Sequence, residues 1–481
     1  MADGCGYVAE SSRGDAGRLF GYRLGFAICG PPGGVGCLTR IWQSLRRLRG
    51  GKGASAQGQP GGVNCNCWAR HGNDGRTAQV LANGEATMNE EMSVYAYDNR
   101  VRQLVARRTD LEHDDGALHR PRQLLVTPDR YDDVRSRLAK LKIATGPLDP
   151  GAGTSVLALA AGTSIPQTID RLEQALGASG LVGPNHVFVA APHIAWGPGG
   201  EPRELSALSW QPADSSNGEG VRVGIVDTGL LPEHSNQPWL SDVTCDPDDV
   251  EIKDVDANGY IDPVVGHGTF IAGVVRRWAP RATIHVDKAL TVDGMCDEIT
   301  LAAAINQALD RDPHVLNLSL GAYTRKDQPP VGLEAVWKRI KDRHPNCVVV
   351  SAAGNDGQNK RFWPAATETV IGVGAVDSGN QRAEFSNFGP WVDVWADGVD
   401  VESAFAEGSY LPLDGSAARS FNGICQWSGT SFSTPLVAAA IAARMSRDGV
   451  GAPEAYQRIK HNALDVPGLG RVVSAQASTA S

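Results

Sequence analysis

Short apolar segments alternate with segments of helical periodicity in the second half of the chain. The apolar segments are rich in β-branched residues, which is typical of buried parallel strands. They are residues 221–226, 283–286, 315–318, 348–352 and 370–373. Between them, residues 299–309 and 332–341 carry apolar side chains at helical spacing. The alternation predicts an α/β fold with a doubly wound, mainly parallel sheet, helices on both faces and a functional site at the carboxyl ends of the strands.

A smaller α/β pattern precedes this region. Residues 123–126, 155–159 and 186–189 predict strands, and residues 131–141 and 166–176 predict helices. A connector rich in Pro, Gly and Ser then predicts a linker. The predicted division is therefore a first region 1–119, a small α/β unit 120–193, a linker 194–220, a main domain 221–446, and a C-terminal helix and tail 447–481.

In the first 119 residues, the hydrophobic positions keep neither a helical nor a strand periodicity for long. These residues are rich in glycine up to residue 88, and this composition favours a disordered region. A second interpretation is that the earliest residues are not normally translated and that the protein starts at Met88 or Met92. No credible signal peptide precedes the small α/β unit from these starts, so we expect a cytoplasmic location, with secretion left open.

Composition narrows the possible partners. The chain has 481 residues, of which 42% are hydrophobic and 21% charged, as in ordinary globular proteins. Its net charge of −9 argues against a nucleic-acid partner. No apolar run approaches the roughly 18 residues of a membrane span, so we expect none. We expect a monomer, and the disulfide state of the nine cysteines stays open.

The first chemical motif is an acidic residue directly after a predicted strand, in Val223-Gly224-Ile225-Val226-Asp227-Thr228-Gly229. Such a carboxylate lies at the carboxyl edge of the sheet. Asp227 could equally cap the next turn. An aspartic protease needs two carboxylates that share a proton. The chain has no second Asp-Thr-Gly or Asp-Ser-Gly, so that alternative would require a homodimer.

The second motif is a histidine between glycines, in Gly266-His267-Gly268-Thr269-Phe270-Ile271-Ala272-Gly273. The glycines allow a close backbone approach, and the small apolar residues suit a buried helix that starts here. A structural histidine is the alternative.

The third motif is Ser428-Gly429-Thr430-Ser431-Phe432-Ser433-Thr434-Pro435. It places Ser431 in the first turn of an apolar helix, where free N–H groups favour a developing oxyanion. An ordinary helix cap is the alternative.

A fourth element is Asn355, which follows the predicted strand 348–352. Its amide could donate a hydrogen bond to an oxyanion, or it could serve only the turn. Together the motifs supply a nucleophile, a base, a group that orients the base, and an oxyanion donor.

The order Asp, His, Ser along the chain is that of subtilisin, and the chain resembles the subtilisin-like serine proteases over about 220–446. The segments that carry the resemblance are Val226-Asp227-Thr228-Gly229, Gly266-His267-Gly268-Thr269, Asn317-Leu318-Ser319-Leu320-Gly321, Ala353-Gly354-Asn355, and Gly429-Thr430-Ser431 with Pro435. The resemblance implies a serine endopeptidase that hydrolyses polypeptides and needs no cofactor for its chemistry.

The resemblance also implies a role for each position. Ser431 would be the nucleophile, His267 the base and then the acid, and Asp227 the group that orients His267. Asn355 and the backbone N–H of Ser431 would form the oxyanion hole. The small α/β unit lies where the family carries its propeptide, so we expect it to be a folding aid and inhibitor of this chain.

The resemblance further implies that two segments and one aromatic residue bind substrate. The expected substrate-binding residues are Leu318, Ser319, Leu320, Gly321, Ala352, Ala353, Gly354 and Phe362. Phe362 precedes Trp363-Pro364 and falls where subtilisins commonly have glycine at the base of the P1 pocket. It predicts a preference for small P1 residues, unless the loop shifts and Phe362 packs into the core.

An acidic loop precedes the histidine motif and is a candidate structural calcium site. Its predicted ligands are Asp254, Asp256, Asn258, Tyr260 and Asp262. The spacing matches the first nine positions of an EF-hand loop, including glycine at the sixth. The twelfth position is Val265 instead of Glu, so an acidic turn without an ion is the alternative.

Three rival functions remain. Sedolisin relatives replace the His with Glu and the oxyanion Asn with Asp, and both usual residues are present here. An inactive, binding-only homologue usually lacks the nucleophile or base, and this chain has lost neither. A purely structural protein would leave the four motifs unexplained.

Overall fold

The computed structural model describes residues 97, 99–114, 116–150, 154–190, 200–210, 215–413 and 415–474. The start candidates Met88 and Met92, and the rest of the region before residue 97, lie outside the described residues. Among the residues described, no helix is both long and apolar enough to cross a membrane. The four cysteines in this part of the chain, Cys245, Cys296, Cys347 and Cys425, have free thiols.

The strands are numbered in chain order. They are β1 (Glu112–Asp114), β2 (Ala117–Val126), β3 (Thr145–Pro150), β4 (Ser155–Leu159), β5 (Val182–Ala190), β6 (Arg203–Glu204), β7 (Arg222–Asp227), β8 (Thr283–Lys288), β9 (Met295–Asp297), β10 (Val315–Leu318), β11 (Leu320–Gly321), β12 (Val348–Ala352), β13 (Val370–Val376), β14 (Val394–Asp397), β15 (Val401–Tyr410), β16 (Arg419–Trp427), β17 (Leu464–Val466) and β18 (Gly470–Val473).

The helices are numbered in the same way. They are α1 (97–105, with residue 98 not described), α2 (Tyr131–Lys140), α3 (Ile165–Leu176), α4 (His267–Trp278), α5 (Glu298–Asp310), α6 (Glu334–Arg343), α7 (Thr430–Asp448) and α8 (Ala452–Asn462).

An eight-stranded sheet forms the centre of the main domain, in the order β17-β18-β14-β13-β12-β10-β7-β8. All its pairs are parallel except β17 with β18. Successive side chains of a strand point to opposite faces, so both faces of this apolar sheet are covered. Ile225 packs into a core that includes residues of α4, α7 and α8, and Val226 packs into one that includes residues of α5 and α6. The predicted doubly wound fold is confirmed.

The N-terminal strands form a second, antiparallel sheet with the order β11-β5-β2-β4-β3, and β1 and β9 pair with its members. Helices α2 and α3 bury one apolar stripe each against it, with Leu138, Ile169 and Leu172 in a shared core. Strands β9 and β11 come from the main domain, so β5 links the N-terminal strands to it by backbone hydrogen bonds on both edges.

Three segments have more regular structure than the sequence predicts. Residues 97–119 were expected to be disordered, yet they contain α1, β1 and the start of β2. The expected linker contains β6, which pairs with the hairpin of β15 and β16. The expected C-terminal tail adds β17 and β18 to the central sheet. These strands are short, and their partners are distant in sequence, so no local periodicity indicates them.

Candidate active site

The first component of the site is a buried acid–base pair. Asp227 is the last residue of β7, and His267 is the first residue of α4. Nδ1 of His267 lies 2.7 Å from Oδ1 of Asp227, which also accepts a hydrogen bond from the Thr228 N–H at 2.8 Å. Both side chains are fully buried. Nε2 of His267 is buried and has no hydrogen-bond partner among the described residues, so it is available to accept a proton.

Close backbone packing fixes the start of α4. A Cβ on Gly268 would lie 2.3 Å from the carbonyl oxygen of Gly229, so no larger residue fits there. The Gly268 N–H donates to Oγ1 of Thr228 at 3.0 Å, and the Gly266 N–H donates to Oε2 of Glu251 at 2.9 Å. Burial raises the pKa of Glu251 well above its usual range, which favours the neutral acid. A second carboxyl, near Asp227, therefore helps to hold the start of α4 in place.

Ser431 lies in the first turn of α7, as its motif predicts. Its Oγ donates a hydrogen bond to the carbonyl oxygen of Ser319 at 3.1 Å, and Oγ of Ser319 donates to the carbonyl oxygen of Ser431 at 2.8 Å. The ring of the next residue, Phe432, lies 5.5 Å from the ring of His267. The two motifs are therefore neighbours, although the hydroxyl of Ser431 is bonded to Ser319 and not to the histidine.

Asn355 is held by one end of its amide. Its Oδ1 accepts hydrogen bonds from the N–H and Oγ1 of Thr430, at 2.9 and 3.0 Å. Oγ1 of Thr430 in turn accepts from the Gly354 N–H at 3.1 Å. Nδ2 of Asn355 is buried without a partner in the described part of the chain. A buried donor without a partner is costly, so it marks a position where an acceptor would be stabilised.

A cleft beside these residues contains a strand of the chain's own N-terminal unit. Ala190 and Val189 of β5 pair antiparallel with Leu320 and Gly321 of β11. On its other edge β5 pairs with β9, and the Ala190 N–H donates to the carbonyl oxygen of Gly294 at 2.9 Å. Leu320 and Gly321 of β11 are among the residues predicted to bind substrate. The opposite side of the cleft, formed by Gly294 and β9, was not predicted, because a three-residue strand shows no periodicity in the sequence.

Comparison with known proteins agrees with this arrangement. The model of the subtilase family matches residues 218–475. The chain belongs to the subtilase family. The match confirms the predicted family and the predicted class of enzyme, a subtilisin-like serine peptidase.

Two relatives illustrate the similarity of this subtilase to known enzymes. The thermophilic serine proteinase of Bacillus sp. (strain AK1) is 31% identical over 302 residues, which cover 60% of this chain and 68% of that protein. Subtilisin DY of Bacillus licheniformis is 30% identical over 249 residues, which cover 49% and 80%.

The subtilase fold is also that of fervidolysin from Fervidobacterium pennivorans, described as a keratinolytic enzyme related to subtilisin. The TM-score is 0.54 at 20% identity, and the alignment covers 76% of this chain. It spans 62% of fervidolysin, which is less than two thirds of that protein's length. At this identity the likeness concerns the fold alone.

The remaining predicted binding residues of the subtilase line one region. Leu318 and Ala352 end the neighbouring strands β10 and β12, and both are fully buried. Ala353 follows β12, and its carbonyl oxygen accepts a hydrogen bond from Nδ2 of Asn387 at 2.9 Å. Ser319 bonds Ser431, as described above. These residues therefore surround the ends of two central strands next to Ser431.

Phe362 lies between the two predicted substrate-binding segments. A Cβ built on Gly321 would be 2.2 Å from its Cε1, and one built on Gly354 would be 3.0 Å from its Cγ. The ring also packs edge-on against Tyr323, with centroids 5.1 Å apart, and only 3% of the residue is exposed. The space between Gly321 and Gly354 is thus occupied by an aromatic ring.

The predicted calcium ligands satisfy hydrogen bonds within their own exposed loop. Asp254 accepts from the N–H groups of Asn258 and Gly259, at 3.0 and 2.9 Å. Asp262 accepts from the Val255 N–H at 3.0 Å, and Nδ2 of Asn258 donates to Asp256 at 2.9 Å. The Tyr260 N–H donates to Oδ1 of Asn258 at 2.8 Å. The acidic side chains of this turn therefore have hydrogen-bond donors within the loop itself.

A different cluster brings possible metal ligands together. Ligand atoms of Asp246, Asp249 and His285 lie within 4.8 Å of one another, and no other such group of three occurs among the described residues. Arg311 contacts Asp246 and lies 2.7 Å from Asp287. The guanidinium therefore supplies positive charge to one member of the cluster, Asp246, and to Asp287.

Proposed function

We propose that this subtilase hydrolyses polypeptides through an acyl-enzyme on Ser431. In this mechanism the Oγ–H of Ser431 gives its proton to Nε2 of His267 while Oγ attacks the peptide carbonyl carbon. Asp227 orients the histidine and stabilises its charged form. His267 then returns the proton to the leaving amine, and a water molecule hydrolyses the ester by the same route. The observation that carries the proposal is the buried Asp227–His267 pair with its unpartnered Nε2.

The serine hydroxyl must turn before it reacts. In the resting arrangement it donates to Ser319, so rotation of its side chain would bring the proton to His267. Catalytic hydrogen bonds commonly tighten only when substrate is bound.

The oxyanion would be stabilised by Nδ2 of Asn355 and the backbone N–H of Ser431. The first donor supports this role because it is buried and unpartnered, and its opposite end is anchored to Thr430. A donor fixed before the reaction costs no reorganisation when charge develops.

The substrate would bind as an extended strand between β9 and β11. Strand β5 supports this proposal because it already makes antiparallel pairs with both. Main-chain pairing of this kind gives affinity for extended polypeptides with little regard to sequence.

We further propose that the N-terminal α/β unit inhibits the enzyme, as a propeptide does. It is fastened at a second point, since the Glu298 N–H at the start of α5 donates to Oδ1 of Asn185 at 3.0 Å. Intact-mass analysis of the purified protein would report whether the chain is cut in the stretch 191–199, just after β5.

A fluorophosphonate probe tests the function directly. It reacts with an activated serine, and peptide mapping after labelling is expected to find the adduct on Ser431. Absence of labelling in protein that is folded and free of its N-terminal unit would contradict the proposal. An adduct on another serine would contradict the assignment of the nucleophile.

The aromatic ring between Gly321 and Gly354 predicts a preference for small P1 residues such as Ala or Ser. Phe362→Gly should open the pocket to larger residues. Three added carbons in Leu relative to Ala, at about 0.8 kcal/mol each, correspond to roughly 50-fold in kcat/KM for the Leu substrate. A P1 library assayed on both proteins measures this change.

The matched control is Phe362→Leu, which keeps most of the volume and should retain the preference for small residues. Equal turnover of Phe, Leu and Ala substrates by the parent enzyme would show that the pocket is open and that Phe362 does not restrict it.

We also propose that the acidic loop binds calcium, and the spacing of its predicted ligands is the only support for this proposal. If Asp254, Asp256 and Asp262 hold Ca²⁺, an ion at 100 times its dissociation constant adds about 2.7 kcal/mol to the free energy of unfolding. We expect Tm to fall in EDTA and to recover in excess Ca²⁺, with no recovery in Asp256→Ala. If the Tm of the parent protein is the same in EDTA and in excess Ca²⁺, the loop does not bind calcium.

A further inference from the structure

A segment that precedes the α/β unit contacts the substrate cleft. It consists of residue 97 and residues 99–110, which we call the N-terminal clamp. It contains α1 and lies outside the region that resembles a propeptide. No pattern in the sequence marks it, yet its side chains reach both the N-terminal unit and the main domain.

Apolar contacts place one end of the clamp beside Phe362. Tyr97 and Val101 are buried in a cluster that also contains Tyr323, Ala352 and Phe362. The rings of Tyr97 and Tyr323 meet edge-on, with centroids 4.7 Å apart. The clamp therefore contacts Tyr323, which packs against the Phe362 ring that lies between Gly321 and Gly354.

Two arginines of the clamp bind carboxylates of the cleft. The Nη2 atom of Arg100 donates to Oδ1 of Asp356 at 2.7 Å, and Asp356 directly follows Asn355. The Nη1 atom of Arg108 donates to Oδ2 of Asp293 at 2.6 Å, and Asp293 directly precedes Gly294. Burial raises the pKa of Asp356 to about 6, and Arg100 opposes that rise. Each arginine thus neutralises an acid beside a residue that we assign to catalysis or substrate binding.

The two carboxylates lie on opposite sides of β5. Asp293 lies next to β9, which pairs with one edge of β5, whereas Tyr323 and its partner Asp356 lie on the side of β11, which pairs with the other edge. Val187 and Val189 of β5 pack into the cluster that contains Tyr97 and Val101. The clamp consequently passes over β5 and is fastened on both sides of it.

The clamp is also tied to the N-terminal unit. Oη of Tyr97 donates to the carbonyl oxygen of Gly116 at 3.0 Å, and Nη1 of Arg120 donates to Oδ2 of Asp110 at 2.7 Å. Departure of β5 from the cleft would therefore have to break the contacts of the clamp as well.

We propose that the clamp is an inhibitory segment that holds β5 in the substrate cleft, through Arg100 with Asp356 and Arg108 with Asp293. The inference rests on the proposed function, since it takes the cleft between β9 and β11 to be the substrate site. It assigns inhibition to residues before the α/β unit, in addition to the strand within it. The surface that receives the clamp consists of Asp293, Tyr323, Asp356 and Phe362.

The test measures how fast Ser431 becomes accessible in the full chain. Parent protein and the variant Arg100→Gln/Arg108→Gln are mixed with the fluorophosphonate probe, and labelling is followed with time. Truncating one partner of a buried hydrogen-bonded charge pair acts mainly on the dissociation rate, and Asp356 is buried beside Arg100. We expect the double variant to be labelled at least about tenfold faster than the parent.

Two matched variants separate the clamp from general effects. Arg102→Gln removes the same charge from an exposed position of α1 and should leave the labelling rate unchanged. Arg100→Lys/Arg108→Lys keeps both charges and should restore much of the slow labelling. If the double Gln variant does not fold, Arg108→Gln alone is measured instead, since its ion pair is partly exposed.

Each outcome decides one of the two proposals. Faster labelling in the Gln variant alone supports the clamp. Equal rates in parent and Gln variant, with complete labelling of both, overturn the clamp and leave the proposed function intact. Equal acceleration by Arg102→Gln also overturns it, because the effect would then be one of net charge. No labelling of any variant, even after the N-terminal unit is removed, counts against the proposed function itself.

Discussion

Ser431→Ala is expected to lower kcat for peptide hydrolysis by about 10⁶, because the variant has no group that can form the acyl-enzyme. The effect should fall on kcat and not on KM, since the lost hydroxyl contributes to the reaction and not to pairing of the substrate with β9 and β11. The fold should persist. Among the described residues the hydroxyl makes one hydrogen bond, to Ser319, and its loss costs only about 1 kcal/mol.

The measurement is hydrolysis of an extended peptide substrate by protein freed of its N-terminal unit, with circular dichroism as the check on folding. Ser420→Ala removes an exposed hydroxyl from β16 and serves as the control with parent activity. Activity of Ser431→Ala within tenfold of the parent would show that another residue is the nucleophile.

The central sheet could be predicted because strands that are buried on both faces consist almost entirely of apolar residues. Strands such as β10 and β12 are continuous apolar runs, and the helices between them repeat at 3.6 residues. The predicted and observed bounds agree for both of these strands. Short strands such as β6 and β17 depend on partners far along the chain, so local pattern does not reveal them.

The motifs of the site could be found for a related reason. Asp227 ends one parallel strand and Asn355 follows another. The carboxyl ends of these strands meet at one edge of the sheet, and His267 and Ser431 lie in the first turns of buried helices. What the sequence could not supply is orientation. The direction of the Ser431 hydroxyl, and the anchoring of Asn355 by Thr430, depend on contacts between segments about 75 to 112 residues apart.

The presence of β5 in the cleft is the feature that the sequence indicates least. The predicted strand 186–189 carries no sign that it pairs with β9 and β11, because its apolar side chains would suit an ordinary core equally well. The clamp shows the same difficulty. Arg100 and Arg108 are two of several charged residues in a segment without helical or strand periodicity. Only their hydrogen bonds to Asp356 and Asp293 distinguish them from the other charged residues.

Asn355 provides the second large expected effect. Asn355→Ala should lower kcat by about 10² to 10³ with little change in KM, since its Nδ2 would act on the oxyanion and not on the bound substrate. This variant also loses the contacts of Oδ1 with Thr430, so a second variant is needed to separate donation from anchoring.

Asn355→Asp makes that separation. Its carboxylate retains an acceptor for the N–H and Oγ1 of Thr430, but it has no donor for the oxyanion and carries a negative charge toward it. We therefore expect Asn355→Asp to be at least as slow as Asn355→Ala, although its anchor to α7 is preserved. If anchoring were the only role of Asn355, the Asp variant would instead keep turnover close to that of the parent. Asn422→Ala, which removes an exposed amide of β16, gives the reference rate for an amide without a role at the site.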